Sequence, residues 1–177
     1  AIGGVTLRLL SIGASTVTVS VDDDAIVEDV NAFVTAYNDA ISGIREQLGS
    51  AGALAGDSTF QQIEDFLRGN IFGQVSGISG AFGSLADIGI STGGNFDSGV
   101  VSPVELDEEK FRESLRSNRA NVRDLFSNSG KTGTADVLFA YLDGATSSTG
   151  YLNERVKSNG SIDRQIQDIN DRIARME

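Results

Sequence analysis

The sequence predicts a mainly α protein: an antiparallel helical bundle with a small β-hairpin, preceded by two strands of a separate β-rich domain. Three observations carry this. Ile26, Val30, Phe33, Val34, Tyr37, Ile41, Ile44 and Leu48 recur in steps of one, three or four residues. That spacing puts all eight on one face of a helix and demands helical partners. Further segments open on a capping residue and continue with apolar residues three or four apart. Strict alternation is confined to the first 21 residues, and a glycine-rich stretch with two short apolar runs interrupts the helices.

Taken in order, Val5, Leu7 and Leu9 alternate with polar residues, as do Val17, Val19 and Val21 after a break at Ser11-Ile-Gly-Ala-Ser15. This is the pattern of two β-branched strands. Two strands alone are marginal in water, so they are expected to belong to a larger sheet. Residues 1–22 are therefore read as the end of a β-rich domain and 23–177 as the helical one, with an inserted hairpin at about 84–106. The chain opens Ala-Ile-Gly-Gly without Met, which suggests a fragment or a processed product.

Asp22-Asp23-Asp24 precedes the long stripe. An N-cap with acidic residues at the positive end of a helix accounts for it. The run lacks the D-x-[DN]-x-[DN]-G spacing of a calcium loop. After Gly52-Ala-Leu-Ala-Gly-Asp-Ser-Thr59, Ser58 begins a capping-box pattern ending at Gln61, and Ile63, Phe66, Leu67 and Ile71 give the second helix its face. Leu85-Ala-Asp-Ile-Gly-Ile90 and Val100-Val-Ser-Pro-Val-Glu-Leu106 are strand candidates, with Pro103 marking an edge or the loop beside it. The hairpin tip falls around Gly93 to Gly99.

Asp107 is placed to cap the next helix, with Glu108 and Glu109 in its first turn and Phe111 and Leu115 on its face. Asn118 restarts a helix carrying Val122, Leu125 and Phe126. Ser127 to Gly133 reads as a loop. Thr134 is placed to cap a helix with Val137, Leu138, Tyr141 and Leu142. The last segment carries Leu152 and Val156, then Ile162, Ile166, Ile169, Ile173 and Met176 in steps of 4, 3, 4 and 3. This is a heptad seam of only two heptads. The seam either continues into a longer helix or docks on the first long helix.

Composition removes most chemistry. The 177 residues are 40% hydrophobic and 22% charged, as expected of a folded domain. A net charge of −11 argues against nucleic acid, whose phosphates need a basic surface, and against an anionic membrane. No apolar run approaches a membrane span. There is no Cys, so no disulfide or thiolate metal site, and no His, so no Ser-His-Asp, Cys-His or HExxH chemistry.

Gly130-Lys131-Thr132 has the ending of a phosphate loop, but Leu125 stands where the first glycine belongs and a helix precedes it. It reads as a mobile surface loop. Gly77-x-x-Gly80-x-x-Gly83 has the wrong first spacing for a dinucleotide fingerprint and reads as a flexible connection. Asn159-Gly-Ser161 is a formal glycosylation sequon inside a segment read as helix. Glu105, Asp107, Glu108 and Glu109 are explained by helix capping, and Asp163, Asp168 and Asp171 lie off the seam. No carboxylate pair is singled out for hydrolysis. No catalytic, cofactor-binding or metal-binding residue is assigned, no cofactor is expected, and the chain is read as a non-enzyme.

Five passages carry a family resemblance. They are Gly4-Val-Thr-Leu7 with Val17-Thr-Val-Ser20; Asp24 through the Tyr37-Asn38 pair; the linker Gly52–Thr59; Leu85-Ala-Asp-Ile-Gly-Ile90 with Leu106-Asp-Glu-x-Lys-Phe111; and Thr149-Gly-Tyr-Leu152 with the terminal seam. In this order they resemble the C-terminal half of the bacterial flagellar filament cap family, the hook-associated protein 2 family. The segment from Thr92 to Pro103 is longer than that family leads one to expect.

The resemblance implies an extracellular structural assembly factor of the bacterial flagellum. It implies a homo-oligomer at the distal filament tip that promotes folding and insertion of exported flagellin, with flagellin, hook–filament junction proteins and further copies of itself as partners. Two alternatives stand beside it: an adhesin for host mucin or glycan, and a fragment of another flagellar axial protein. Absence of Trp and of evident exposed aromatic pairs leaves the adhesin without a sugar site. The linker and the Tyr37-Asn38 pair favour the cap over other axial proteins.

Overall fold

The computed structural model describes residues 22–92, 102–154, 156 and 157, with positions 8, 10, 12–14 and 16 near the start. The two expected N-terminal strands, the hairpin tip and the terminal seam lie outside the described residues.

Four helices and one two-stranded sheet make up the described body: α1 (Asp23–Leu48), α2 (Ser58–Ile71), β1 (Ile90–Ser91), β2 (Glu105–Leu106), α3 (Glu108–Phe126) and α4 (Thr134–Thr146). A further helix begins at Tyr151. α1 packs on α2 and α3, and α4 on α2 and α3, so the four surround one core. The strands pair antiparallel with Ile90 opposite Leu106.

The ends of α1 obey simple chemistry. Asp22 Oδ1 accepts from the N–H groups of Asp24 and Ala25, both at 3.1 Å, satisfying donors the first turn cannot. Asp23 and Asp24 then meet Arg119 and Arg112 of α3, so the acidic run also fastens α1 to α3.

α3 bends at Asn118, whose backbone (φ −155°, ψ 78°) is not helical. Its side chain accepts from the Asn121 N–H at 3.1 Å, so it caps the second half, as a helix restarting there requires. Phe111, Leu115, Val122 and Leu125 are buried on the two halves.

Four local expectations are corrected. Leu85–Ile88 is a 3₁₀ turn, not a strand: Ser84 and Asp87 form a reciprocal capping box that closes it. Strand begins only at Ile90, the last residue of that segment, and runs to Ser91; among the described residues of the second segment only Glu105–Leu106 is strand, because Val104 is held by a side chain instead of a strand. The cap of α2 is Asp57, not Ser58; its carboxylate accepts from Thr59 N–H at 2.9 Å and Phe60 N–H at 3.4 Å. The cap of α4 is Gly133, and Thr134 is its buried first residue.

Aromatic pairs join helices at both ends of the core. Phe33 of α1 meets Phe126 of α3 edge-on, with ring centroids 6.0 Å apart. Phe66 of α2 stacks on Tyr141 of α4 at 3.7 Å and 13°.

Candidate functional site

Of the α1 stripe, Val30, Val34, Tyr37 and Ile41 are buried, while Ile26, Phe33 and Ile44 are half-buried against the same core. Leu48 is half-exposed at the last turn. Val27 is also buried, although the stripe omits it. It lies three residues before Val30 and seven before Val34, so ordinary helical periodicity contains the signal. α1 is a spine with helices on two sides, and its partners among the described residues are α2, α3 and β2. Leu152 packs partly on this core, whereas Val156 is 70% exposed.

The punctuated linker serves three purposes. The chain leaves α1 and folds back, so that Leu54 N–H donates to Gln47 O at 2.9 Å. Gly52 then lies so close to the last turn of α1 that a Cβ would collide with the Gln47 carbonyl. Gly56 takes a φ of +76°, which costs an L side chain about 1–2 kcal/mol. Asp57 follows at once as the cap of α2.

Two asparagines clamp loop backbones. Asn38 Nδ2 donates to Val104 O at 2.8 Å, and its Oδ1 accepts from Val104 N–H at 2.9 Å. Asn121, buried on α3, does the same to Phe82: Nδ2 to the carbonyl at 3.2 Å and Oδ1 from the N–H at 2.9 Å. A primary amide has the donor–acceptor geometry of a peptide, so each Asn stands in for one rung of a β-ladder. Asn38 was legible only as part of a family resemblance, and Asn121 carried no sequence signal beyond a polar residue on an apolar face.

Beside Asn38 is a cavity of about 390 Å³ lined by Tyr37, Ile41, Arg45, Arg68, Phe72 and Val104, among others. Burial pushes the Tyr37 hydroxyl up to about 12, against the opposing pull of Arg68 and Arg45. Arg45 reaches Glu64 through Nε at 2.7 Å, and Arg68 approaches the same carboxylate at 3.9 Å. The cations of this wall therefore have a carboxylate partner within the fold.

The glycine-rich and Gly-Lys-Thr segments, read above as a flexible connection and a mobile loop, are both tied to the body by hydrogen bonds. Val75 N–H donates to Gly83 O at 2.8 Å across the glycine-rich segment, in addition to the Asn121 clamp. In the second loop, Thr132 Oγ1 donates to Ser76 O at 2.6 Å and ties the two segments together. Asp136 accepts from Asn128 N–H at 3.0 Å, from Ser127 Oγ at 2.9 Å and from Lys131 Nζ at 3.2 Å. These donors, the Asn128 N–H foremost, hold its carboxyl below the usual carboxylate range. Lys131 thus faces a carboxylate, where a phosphate loop would leave it for a ligand.

Among the described residues no group of three or more carboxylates is placed to hold a metal ion. No described helix is long and apolar enough to cross a membrane. On α4, Phe139 is 73% exposed, and Leu142, read above as part of the apolar face, is also exposed. Ala145 takes the buried place instead. The candidate site is thus a surface on a braced bundle, with no assembled catalytic constellation among the described residues.

The chain has clear relatives. It is 30% identical over 194 residues to flagellar hook-associated protein 2 of Thermotoga maritima, covering 97% of this chain and 29% of that protein. It is 28% identical over 176 residues to B-type flagellar hook-associated protein 2 of Pseudomonas aeruginosa, covering 92% of this chain and 35% of that one. The chain therefore spans about a third of the length of these relatives. Among solved structures it is similar to the crystal structure of the flagellar cap protein FliD D1-D2-D3 domains from Escherichia coli. The TM-score is 0.69 at 28% identity, over 78% of this chain and 37% of that one. The family described as the flagellar hook-associated protein 2 C-terminus matches residues 1–177, and with the helical body and braced linker described above, the chain belongs to it.

Proposed function

We propose that this chain is the helical body of a flagellar filament cap, an extracellular structural assembly factor without an enzymatic role. In the whole protein it works as a homo-oligomer at the distal tip, where exported flagellin folds and inserts beneath it. Hook–filament junction proteins are its other neighbours. The observation that carries this reading is the family match across all 177 residues, joined to a fold similar to that of a named flagellar cap protein.

Physically, the role asks for a body that keeps its shape while subunits pass beside it. The α1 spine, the double asparagine clamps and the aromatic pairs supply such a body. Residues 23–177 form the helical unit of this proposal, and residues 1–22 close a preceding β-rich domain. The purified chain should give a circular dichroism spectrum dominated by helix; a spectrum dominated by β-structure would overturn that division.

The test of function uses the full-length protein that contains this chain, expressed in its own bacterium after deletion of the chromosomal copy. Cells without it are expected to shed unassembled flagellin into the medium and to lack filaments; complementation should restore both. If the deletion strain still builds normal filaments, the proposal fails.

A further inference from the structure

We draw no further inference here: the strongest candidate, the cavity between the C-terminal half of α1, the end of α2 and the chain at 102–104, carries nothing because Arg45 and Arg68 in its wall both face Glu64 and nothing in the structure shows what covers it.

Discussion

Asn38 grips Val104 by both of its main-chain groups, with hydrogen bonds of 2.8 and 2.9 Å across 66 residues of sequence. The contact fixes the return of the hairpin to α1. Val104 is 3% exposed and lines the cavity beside Asn38. Removing the side chain leaves a buried N–H and carbonyl unsatisfied, at about 1–3 kcal/mol. Asn38→Ala should lower stability by about that amount in urea denaturation. Hydrogen exchange at the Val104 amide should accelerate more than at the Asp107 amide, which bonds to Gly89 O. Equal protection of Val104 in variant and wild type would remove the clamp from the account.

The three glycines Gly43, Gly52 and Gly56 should respond to alanine with different signs. Gly43 lies in α1 with open space where a Cβ would stand. Gly43→Ala should stabilise by about 0.5–1 kcal/mol through helix propensity. Gly56→Ala should destabilise by about 1–2 kcal/mol because of its left-handed backbone. Gly52→Ala should destabilise by displacing the linker from the last turn of α1. Thermal or chemical denaturation of the three variants reads the signs directly.

The cap of α2 separates two neighbouring residues. Asp57→Ala should cost about 0.5–2 kcal/mol, the usual loss for an N-cap carboxylate. Ser58, exposed in the first turn, should be nearly silent when changed to Ala. A reversed order in the two melting temperatures would restore Ser58 as the cap.

The Phe66–Tyr141 stack joins α2 to α4 and should show coupling beyond simple burial. A double-mutant cycle with Phe66→Leu and Tyr141→Leu is expected to give about 0.5–1.5 kcal/mol of interaction. Additive effects would mean that the rings contribute only through the area they cover.

Asp136 should make stability fall in acid. Its folded pKa is held below the ordinary 3.8, chiefly by the Asn128 N–H. A depressed folded pKa stabilises the fold above the unfolded value, and that contribution is lost as pH falls through the folded value. Asp136→Asn should therefore be less stable than wild type at neutral pH, and the gap should narrow as pH drops below 3.8. Asp87, held low first by the Gly83 N–H, behaves with the same sign. Denaturation curves at a series of pH values, with a constant gap throughout, would exclude Asp136 as a contributor.

Much of this protein is determined locally by its sequence. The α1 stripe, the Asp107 cap, the break at Asn118 and the loop from Ser127 to Gly133 follow from spacing, capping chemistry and composition, all of which act within a few residues. The family resemblance was legible too, and the glycines and Asp57 of the linker that helps carry it have local backbone roles. The tertiary structure decided what depends on distant partners. Leu85–Ile88 reads as part of a short apolar strand, yet its Ser84–Asp87 box and its packing on α3 make it a 3₁₀ turn. Whether Asn38 and Asn121 are solvated or clamp a backbone depends on residues 66 and 39 positions away. The Lys131–Asp136 pair is local, five residues apart, but it depends on a turn with φ of +57° that leaves no periodic trace in the sequence.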